Sequence, residues 1–317
     1  MGSFFLVMKI LICPLNWGLG HATRCVPIIQ QLIADGHELV LVSDGYPLQF
    51  LRQEFPSLRY IEFPSYPIHY SNGTSQIPAM FKSFPAIVKG IFNEHVWLKK
   101  LLENEHFDKI ISDNRFGMWN KNIHSIYITH QLMVKMPKGL KVFEPIVWLI
   151  HRWVINRYNE CWIPDVEENG GFSGDLAHKY PLPRKAKFIG IQSRFKELTH
   201  IEPNTKYEVV AVLSGVEPQR KMLEVDLIKR FQNAKHQTLI VAGQPCDPKK
   251  EIKIANITFV SHLNSTEMAA VLVGSNHIIA RSGYSTIMDL AALNCLHKAE
   301  LIATPGQTEQ EYLASII

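Results

Sequence analysis

Cysteine is scarce in this sequence, and its placement excludes two classes of site. The 317 residues contain five cysteines, which are widely spaced and lie mostly in apolar segments. An odd, scattered set is typical of reduced packing residues rather than of a disulfide framework. No Cys-x-x-Cys or His-Glu-x-x-His motif offers a zinc site, and no Asp-x-Asp motif offers a site for a nucleotide-bound metal. We therefore predict neither a metal nor a cofactor.

A strong charge excess and a long apolar run are also missing. The formal net charge of +4 is too small to indicate a nucleic-acid binder, although it suits anionic small molecules or an acidic membrane surface. The first apolar run, residues 4–12, is interrupted by Lys9 and is too short to span a bilayer. Because the N-terminus carries no signal-peptide pattern, we predict a cytoplasmic location, at the inner face of the membrane.

The first pattern that the sequence does contain is a strand, a glycine turn and a helix. The apolar run predicts a buried parallel strand, and apolar residues at helical spacing follow the turn and stop at Gly36. Gly18 and Gly20 lie in the turn, where an anionic ligand can approach the amides of a helix N-terminus, and His21 and Arg24 project at its mouth. A packing glycine pair with a core histidine is the alternative.

Two later strands end in polar residues. A strand that begins at Lys109 leads to Asp113 and Arg115, and the strand 125–128 leads to His130. Carboxyl ends of parallel strands are where open α/β sheets bind ligands, so these side chains are candidates for a base and for substrate orientation. A salt bridge between Asp113 and Arg115 that closes the loop is the alternative.

The chain divides near its middle. The polar stretch 192–206 is the best linker candidate, which predicts an N-terminal domain over residues 1–195 and a C-terminal domain over residues 196–317. Before it, residues 135–158 combine five cationic and several aromatic side chains with a single acid, Glu144. Such a segment either contacts an anionic membrane surface peripherally or packs on its own domain.

The second half repeats the pattern of strand, turn and helix. A strand from Tyr207 leads to a turn and a helix, and a strand over 277–281 enters a Ser-Gly turn before the next helix. Ser282, Ser285 and Asp289 have spacings of three and four, which predicts that they share one helix face near its N-terminus. Hydroxyls and amides there can hold phosphate, and Asp289 can accept both hydroxyls of a ribose. Each residue alone can also be a helix cap.

These motifs together resemble a known family. The sequences Gly-x-Gly-His-x-x-Arg, Ser-Gly-x-x-Pro-Gln-Arg, Arg-Ser-Gly-x-x-Thr-x-x-Asp and Pro-Gly-Gln-x-Glu-Gln-Glu are similar to those of family 28 glycosyltransferases, which include the peptidoglycan N-acetylglucosaminyltransferase of the cell envelope. The resemblance implies the GT-B fold, an α/β architecture of two Rossmann-like, doubly wound domains that face a cleft. That family continues with a further strand and a terminal helix, so we expect the C-terminal end to be truncated here.

The resemblance also implies roles for individual residues. Asp289 would bind the ribose of a UDP-sugar, although the family commonly has the longer Glu at this position. Arg281 opens the same motif and counts among the substrate-binding residues. The diphosphate would be surrounded by Ser214, Gly215, Arg220, Ser282, Gly283, Ser285 and Thr286, and the sugar would be read by Gln307, Glu309 and Gln310.

The predicted reaction moves a hexose or N-acetylhexosamine from a UDP-sugar to a hydroxyl of a glycan or lipid-linked acceptor. We expect a metal-independent, inverting displacement in which His21 is the base, because its ordinary pKa lies near neutrality. Asp113 either orients His21 or is itself the base, and His21 can alternatively bind phosphate without moving a proton. A sugar-nucleotide 2-epimerase and a non-catalytic nucleotide-sugar or lipid binder are the competing functions.

Overall fold

The chain forms two parallel sheets, each covered by helices. The structure is a computed structural model, and it describes residues 6–66, 77–215, 217–246 and 248–317. In the first sheet the strand order is β3-β2-β1-β4-β5-β6-β7, and in the second it is β10-β11-β9-β8-β12-β13. Within the described ranges every pairing is parallel except the one between β10 and β11. These two orders confirm the predicted α/β class with two Rossmann-like sheets.

The first sheet is built from the N-terminal half of the chain. Its strands are β1 (Lys9–Pro14), β2 (Glu38–Ser43), β3 (Arg59–Glu62), β4 (Lys109–Asp113), β5 (His124–Ile128), β6 (Glu160–Ile163) and β7 (Ala186–Phe188). Its helices are α1 (Gly20–Ala34), α2 (Gly45–Glu54), α3 (Ile77–Asn104), α4 (Glu144–Ile155) and α5 (Asp175–His178).

The second sheet is built from the C-terminal half. Its strands are β8 (Val209–Val212), β9 (Thr238–Val241), β10 (Glu251–Ile254), β11 (Ile257–Val260), β12 (His277–Arg281) and β13 (Ala299–Ile302). Its helices are α6 (Gln219–Phe231), α7 (Ser265–Gly274), α8 (Tyr284–Ala292) and α9 (Thr308–Ile316).

Strand β1 shows why the first sheet is covered on both faces. Successive side chains of a strand point to opposite faces, so a strand buried on both sides must be apolar throughout. Ile10 and Ile12 accordingly pack against α1, whereas Leu11 and Cys13 pack with Phe107 on the opposite face. Of the strand predicted over residues 4–12, residues 6–8 precede the regular ladder, which begins at Lys9 and ends at Pro14.

The stretch proposed as a linker has two parts. Gln192, Ser193, Arg194 and Phe195 are buried, and Phe195 packs in the core of the second sheet. Residues 196–206 are mostly exposed and contain no helix or strand. The boundary at residues 195 and 196 stays a prediction.

Direct contacts hold the two halves together with the carboxyl ends of their central strands facing each other. The Ser285 hydroxyl donates to the Gly20 carbonyl oxygen at 2.9 Å, and the Thr308 hydroxyl donates to the Lys135 carbonyl oxygen at 2.6 Å. On another side of the molecule, the Ser265 amide and hydroxyl both donate to Glu54. Among the described residues, no helix is long and apolar enough to cross a membrane.

Candidate functional site

The loop between β1 and α1 approaches the second domain very closely. Gly18 has a φ of +114°, a backbone conformation that a residue with a Cβ rarely adopts. At Gly20, an added Cβ would lie 2.9 Å from the Ser285 hydroxyl oxygen of α8. The two glycines therefore have different functions: Gly18 permits the turn, and Gly20 permits the contact between domains.

His21, at the start of α1, meets Asp113, at the end of β4. These elements adjoin because β1 and β4 are neighbouring strands, with Pro14 aligned with Asp113. His21 Nδ1 lies 2.7 Å from Asp113 Oδ1. A carboxylate only accepts hydrogen bonds, so this contact requires the proton on Nδ1 and leaves the Nε2 lone pair of the neutral ring available. The pair has the arrangement of a base and its orienting group.

Arg24 holds the same carboxylate from the next turn of α1. Its Nε and Nη2 donate to the two oxygens of Asp113, and Nη1 lies 2.9 Å from His130 Nδ1. Nη2 also lies 2.8 Å from His21 Nδ1, but with the proton on Nδ1 this contact is not a hydrogen bond, because that nitrogen has no lone pair to accept one. The guanidinium is buried. Arg24 therefore fixes the position of Asp113, and its hydrogen-bonding groups point at protein atoms.

Burial and charge set the protonation of this cluster. Burial by itself would raise the pKa of Asp113, but Arg24 and His21 outweigh it and lower that pKa to about 2. Burial lowers the pKa of His21, and Arg24 lowers it further, although Asp113 acts in the opposite direction. At neutral pH Asp113 is therefore ionised and His21 is neutral, as a proton acceptor must be.

The cluster extends into the second domain through His130. His130 Nε2 lies 2.8 Å from Glu309 Oε1 on α9, and its ring stacks on that of Tyr284 with centroids 4.1 Å apart. Burial opposes ionisation of Glu309, but His130 and then Arg24 outweigh it and lower the pKa of that carboxyl. Residues from both domains thus form one continuous polar network.

A cavity of about 70 Å³ lies beside this network, between the domains. Five of the sequence-predicted residues line it: Gly20, Ser214, Ser285, Thr286 and Asp289. A larger cavity of about 560 Å³ lies apart from the network, in the C-terminal half, and is lined by residues such as Tyr207, Lys249 and Glu267. We favour the smaller cavity as the site because it adjoins both sheets' central strand ends.

Asp289 and Arg194 face each other in the smaller cavity. Arg194 Nε lies 3.7 Å from Asp289 Oδ2, and the Ser193 hydroxyl donates to Asp289 Oδ1 at 2.6 Å. Arg194 is buried, yet its Nε has no hydrogen-bond partner in the described part of the chain. Burial raises the pKa of Asp289, although Arg194 and Ser193 counteract the shift. An unsatisfied buried donor beside an acceptor suits a polar, anionic ligand.

No family model matches the chain. An uncharacterized glycosyltransferase of Methanosarcina mazei is 22% identical over 338 residues, with 98% of this chain and 83% of that protein covered. Among solved structures, the glycotransferase of kitacinnamycin has a TM-score of 0.55 at 16% identity and covers 98% of this chain and 91% of its own.

Two further solved structures are similar over nearly the whole chain. Arabidopsis thaliana UGT89C1, complexed with UDP-L-rhamnose, has a TM-score of 0.58 at 12% identity, with 98% of this chain and 83% of that chain covered. A putative UDP-N-acetylglucosamine 2-epimerase from Listeria monocytogenes has a TM-score of 0.56 at 10% identity, with coverages of 98% and 87%.

The chain has the GT-B fold. The two Rossmann-like domains, their facing strand ends and the likeness to glycosyltransferase structures establish this together. At these sequence identities the similarity shows a shared fold and no more. The roles of individual residues therefore have to be inferred from the geometry of this protein.

Three of the predicted arginines do not line the smaller cavity and are held by protein groups. Arg115 is fully buried in the first domain, where its Nε donates to Glu94 at 2.7 Å. Arg220 pairs with Glu217 and Glu224 on its own helix and its flank. Arg281 donates to the carbonyl oxygens of Ala303 and Gln219. These cations stabilise the two domains, and the predicted Asp113–Arg115 salt bridge is replaced by one between Asp113 and Arg24.

Ser282 does not share a helix face with Ser285 and Asp289. Helix α8 begins at Tyr284, so Ser282 precedes the first turn and helical spacing does not apply to it. Its hydroxyl is buried and donates to the Gln310 carbonyl oxygen, while the Gln310 side chain accepts from the Thr304 amide. This part of the expectation is corrected: Ser282 and Gln310 join α8 to α9 rather than line the cavity.

The other predicted positions lie around the cleft without forming a single surface. Gly283 immediately precedes α8, and Gln307 immediately precedes α9. Gly215 follows Ser214 in the turn after β8, with a φ of +93°. Their proposed contacts with diphosphate or sugar remain predictions.

Two cavity residues escaped the sequence reasoning. Arg194 was hidden in the polar stretch assigned to the linker, where nothing distinguished it from its solvated neighbours. His262 lies two residues after the end of β11 and lines the cavity, and burial lowers its pKa to about 4. The rule that ligands bind at strand carboxyl ends could have found His262. In the described ranges, no cluster of three His, Cys, Asp or Glu residues could hold a metal ion.

Proposed function

We propose that the chain is a glycosyltransferase that moves a sugar from a UDP-sugar to a hydroxyl acceptor. The observation that carries the proposal is the contact of His21 with Asp113 at the rim of a cleft whose opposite wall holds Asp289 and Arg194. A base on one domain, a carboxylate on the other and the buried cation of Arg194 between them suit a reaction between two substrates. The glycosyltransferase name of the Methanosarcina relative and the UDP-L-rhamnose bound to UGT89C1 support the same choice.

The base in this proposal is His21. Its Nε2 takes the proton of the acceptor hydroxyl as the acceptor oxygen forms a bond to the anomeric carbon. The bond from that carbon to the diphosphate breaks with its electron pair, so UDP leaves and the configuration inverts. Asp113 keeps the proton on Nδ1 and stabilises the imidazolium that forms. Arg24 keeps Asp113 ionised, which makes Asp113 the orienting group rather than the base.

The departing diphosphate is stabilised by the second domain. The N-terminus of α8 supplies backbone amides and the positive end of a helix dipole, and Ser285 and Thr286 lie there. Arg194 adds a buried positive charge whose Nε is available for a hydrogen bond. In this mechanism no metal ion is needed for the leaving group. Asp289 accepts from the ribose in exchange for its present hydrogen bond with Ser193.

The finer identity of the enzyme is part of the proposal. Membership of family 28, a hexose or N-acetylhexosamine as the transferred sugar, a glycan or lipid-linked acceptor, and action at the cytoplasmic face of the cell envelope rest on the quoted motifs. Glu309 would have to exchange His130 for a sugar hydroxyl in order to read the donor.

The test is a panel of UDP-sugars and other nucleotide sugars measured by thermal shift and by release of UDP. A donor that binds the native state raises the melting temperature, and 100-fold excess over Kd stabilises by about 2.7 kcal/mol. We expect Asp289→Asn to weaken UDP-sugar binding about 10-fold to 100-fold, whereas Asp226→Asn, on the distant helix α6, should leave it unchanged. If every nucleotide sugar fails to shift the melting temperature, the proposal is wrong.

The two competing functions have different signatures. The putative epimerase from Listeria monocytogenes shares the fold, which makes epimerase activity a candidate. An epimerase would convert the nucleotide sugar to its epimer in a reaction without acceptor. A non-catalytic binder predicts a thermal shift with UDP-sugar and no turnover over a wide acceptor panel. The geometry favours transfer, because His21 has a free Nε2 and an ionised partner, as a proton acceptor requires.

A further inference from the structure

Helix α4 leaves a broad apolar face in solvent. Its inner face consists of Glu144, His151 and Ile155, which are buried at helical spacing. The opposite face carries four large apolar side chains that are 53% to 60% exposed, Ile146, Leu149, Ile150 and Trp153. Val142 and Phe143, in the 3-10 turn that leads into α4, are also exposed. Single exposed apolar residues are normal, but a contiguous set on one helix indicates an interaction surface.

Helix α3 adds a second row to this surface. Phe84, Val88 and Phe92 are spaced by four residues, and their side chains are 63%, 50% and 67% exposed. A chain of ring contacts connects the two helices. The Arg157 guanidinium lies over Trp153 and over Trp119, and Trp119 stacks on His95 of α3. We call the exposed sides of these helices the α3–α4 face.

The charges of this face have one sign. Lys89, Lys141 and Arg157 are exposed, whereas residues 82–93 contain no acid and residues 138–158 contain only Glu144. Glu144 is buried and pairs with Lys179 at 2.6 Å. An apolar stripe with cations beside it and no exposed acid complements an anionic lipid surface, where aliphatic and Trp side chains enter the interface and cations remain among the headgroups.

We propose that the α3–α4 face is a docking surface for anionic lipid bilayers. The segment 131–137 leads from His130 in the cleft to the start of this face, and its Lys135 carbonyl oxygen accepts from Thr308 of α9. Docking would therefore hold the cleft near the membrane. This goes beyond the proposed glycosyl transfer, because lipid binding requires no nucleotide sugar.

Co-sedimentation with vesicles tests the proposal. The protein should bind vesicles of phosphatidylcholine containing 30% phosphatidylglycerol about tenfold or more tightly than phosphatidylcholine alone. Leu149→Ser combined with Ile150→Ser should weaken binding to the anionic vesicles at least tenfold. The matched control combines Met222→Ser with Val225→Ser on α6, residues that are 45% and 38% exposed, and should bind like the wild type. Lys89→Gln with Lys141→Gln should reduce the preference for anionic lipid.

Tryptophan fluorescence locates the contact. Brominated lipids should quench part of the protein emission, and Trp153→Phe should remove that part while the remaining tryptophans respond little. The proposal is overturned if the wild type does not bind anionic vesicles, or if the α4 double variant binds as tightly as the wild type. It is also overturned if sedimentation velocity shows a dimer that the α4 variant dissociates, because a second copy then covers the face. Glycosyl transfer to a soluble acceptor is measured in a separate assay without vesicles. Failure of the lipid-docking proposal can therefore be distinguished from failure of the glycosyltransferase proposal.

Discussion

At the scale of single residues, the site depends on which group balances the charge of Asp113. A lone His–Asp pair would raise the basicity of the histidine, because the carboxylate favours the imidazolium. Here Arg24 occupies both carboxylate oxygens, so the negative charge is balanced before His21 takes a proton. His21 is consequently a neutral but weaker base, held in place by a carboxylate that stays ionised.

Replacing His21 should separate chemistry from binding. We expect His21→Ala to lower kcat by about 10² to 10⁴ while donor affinity stays within about threefold, because a general base acts on the acceptor proton. Steady-state kinetics and donor titration measure the two quantities, with His297→Ala as an exposed control. Loss of donor binding with unchanged kcat would instead assign His21 to the phosphate.

The pH profile should report on Arg24. Wild-type kcat/KM should fall in acid as His21 becomes protonated, with an apparent pKa below the ordinary 6.5, and be constant above it. Because the positive charge of Arg24 lowers that pKa, Arg24→Gln should move the acid limb to higher pH. Arg24→Lys keeps the charge but loses the two-pronged contact, so kcat should fall while the limb stays in place. The groups that face His21 are Asp113, Arg24, His130 and Glu309.

Some residues of the candidate site could be predicted from the sequence, and others could not. His21 and Asp113 were found because each follows a strand at its carboxyl end, and the strand order brought those ends together. The partner of Asp113 was not found. Arg115 is two residues away in sequence, but it is held by Glu94 from α3, whereas Arg24 comes from a helix 89 residues earlier. Such pairings depend on tertiary packing, which local spacing does not encode.

At the scale of elements, the strands were easier to predict than the segments between them. The strands β4, β5, β8 and β12 were found with shifts of a few residues at their ends, because buried parallel strands are continuous apolar runs. Helix α3 continues through Pro85, a residue type that usually ends or kinks a helix. Strand β10 was missed because its side chains are exposed and give no apolar signal.

Helix α7 offers a test of element stability. Asn264 accepts from the Glu267 amide at 2.9 Å, and Glu267 accepts from the Asn264 amide in return, which is a capping box. Asn264→Ala should therefore cost about 1 kcal/mol of stability without changing kcat/KM, since Asn264 is exposed and does not line the cavity. Urea denaturation measures the loss, and Asn264→Asp should retain most of the stability. An unchanged midpoint for the alanine variant would contradict the capping role.

At the scale of the whole molecule, the two domains share buried groups as well as a surface. The stretch 192–195 is buried between them, and Glu54 of the first domain accepts from Ser265 at the start of α7 in the second. The two doubly wound domains were expected from the resemblance of the sequence motifs to those of GT-B glycosyltransferases. The sequence did not predict how closely they touch, since contacts between distant segments leave no periodic pattern.

Acid should weaken the folded state through its buried histidines. Burial lowers the pKa of His151 to about 4, whereas in the unfolded chain it is near 6.5. The unfolded state therefore takes up the proton first, and stability falls as pH decreases from 6.5 toward 4. Between pH 6.5 and 5 the loss from this residue is about 2 kcal/mol. His151→Phe should reduce the pH dependence of the unfolding free energy by that amount, and exposed His106→Gln should not. Equal slopes for wild type and His151→Phe would contradict this account.

The Ser285–Gly20 hydrogen bond predicts a slow step if a nucleotide sugar binds as proposed. Ligand pockets usually have about 300 to 1,000 Å³, and the cavity beside this bond has about 70 Å³. On this proposal the domains must separate before the donor enters, and the rate of that first-order step does not depend on donor concentration. In stopped-flow experiments the observed association rate should reach a plateau at high donor concentration, and Ser285→Ala should raise the plateau. The contact between Ser285 and the Gly20 backbone would then limit the rate at which the donor enters.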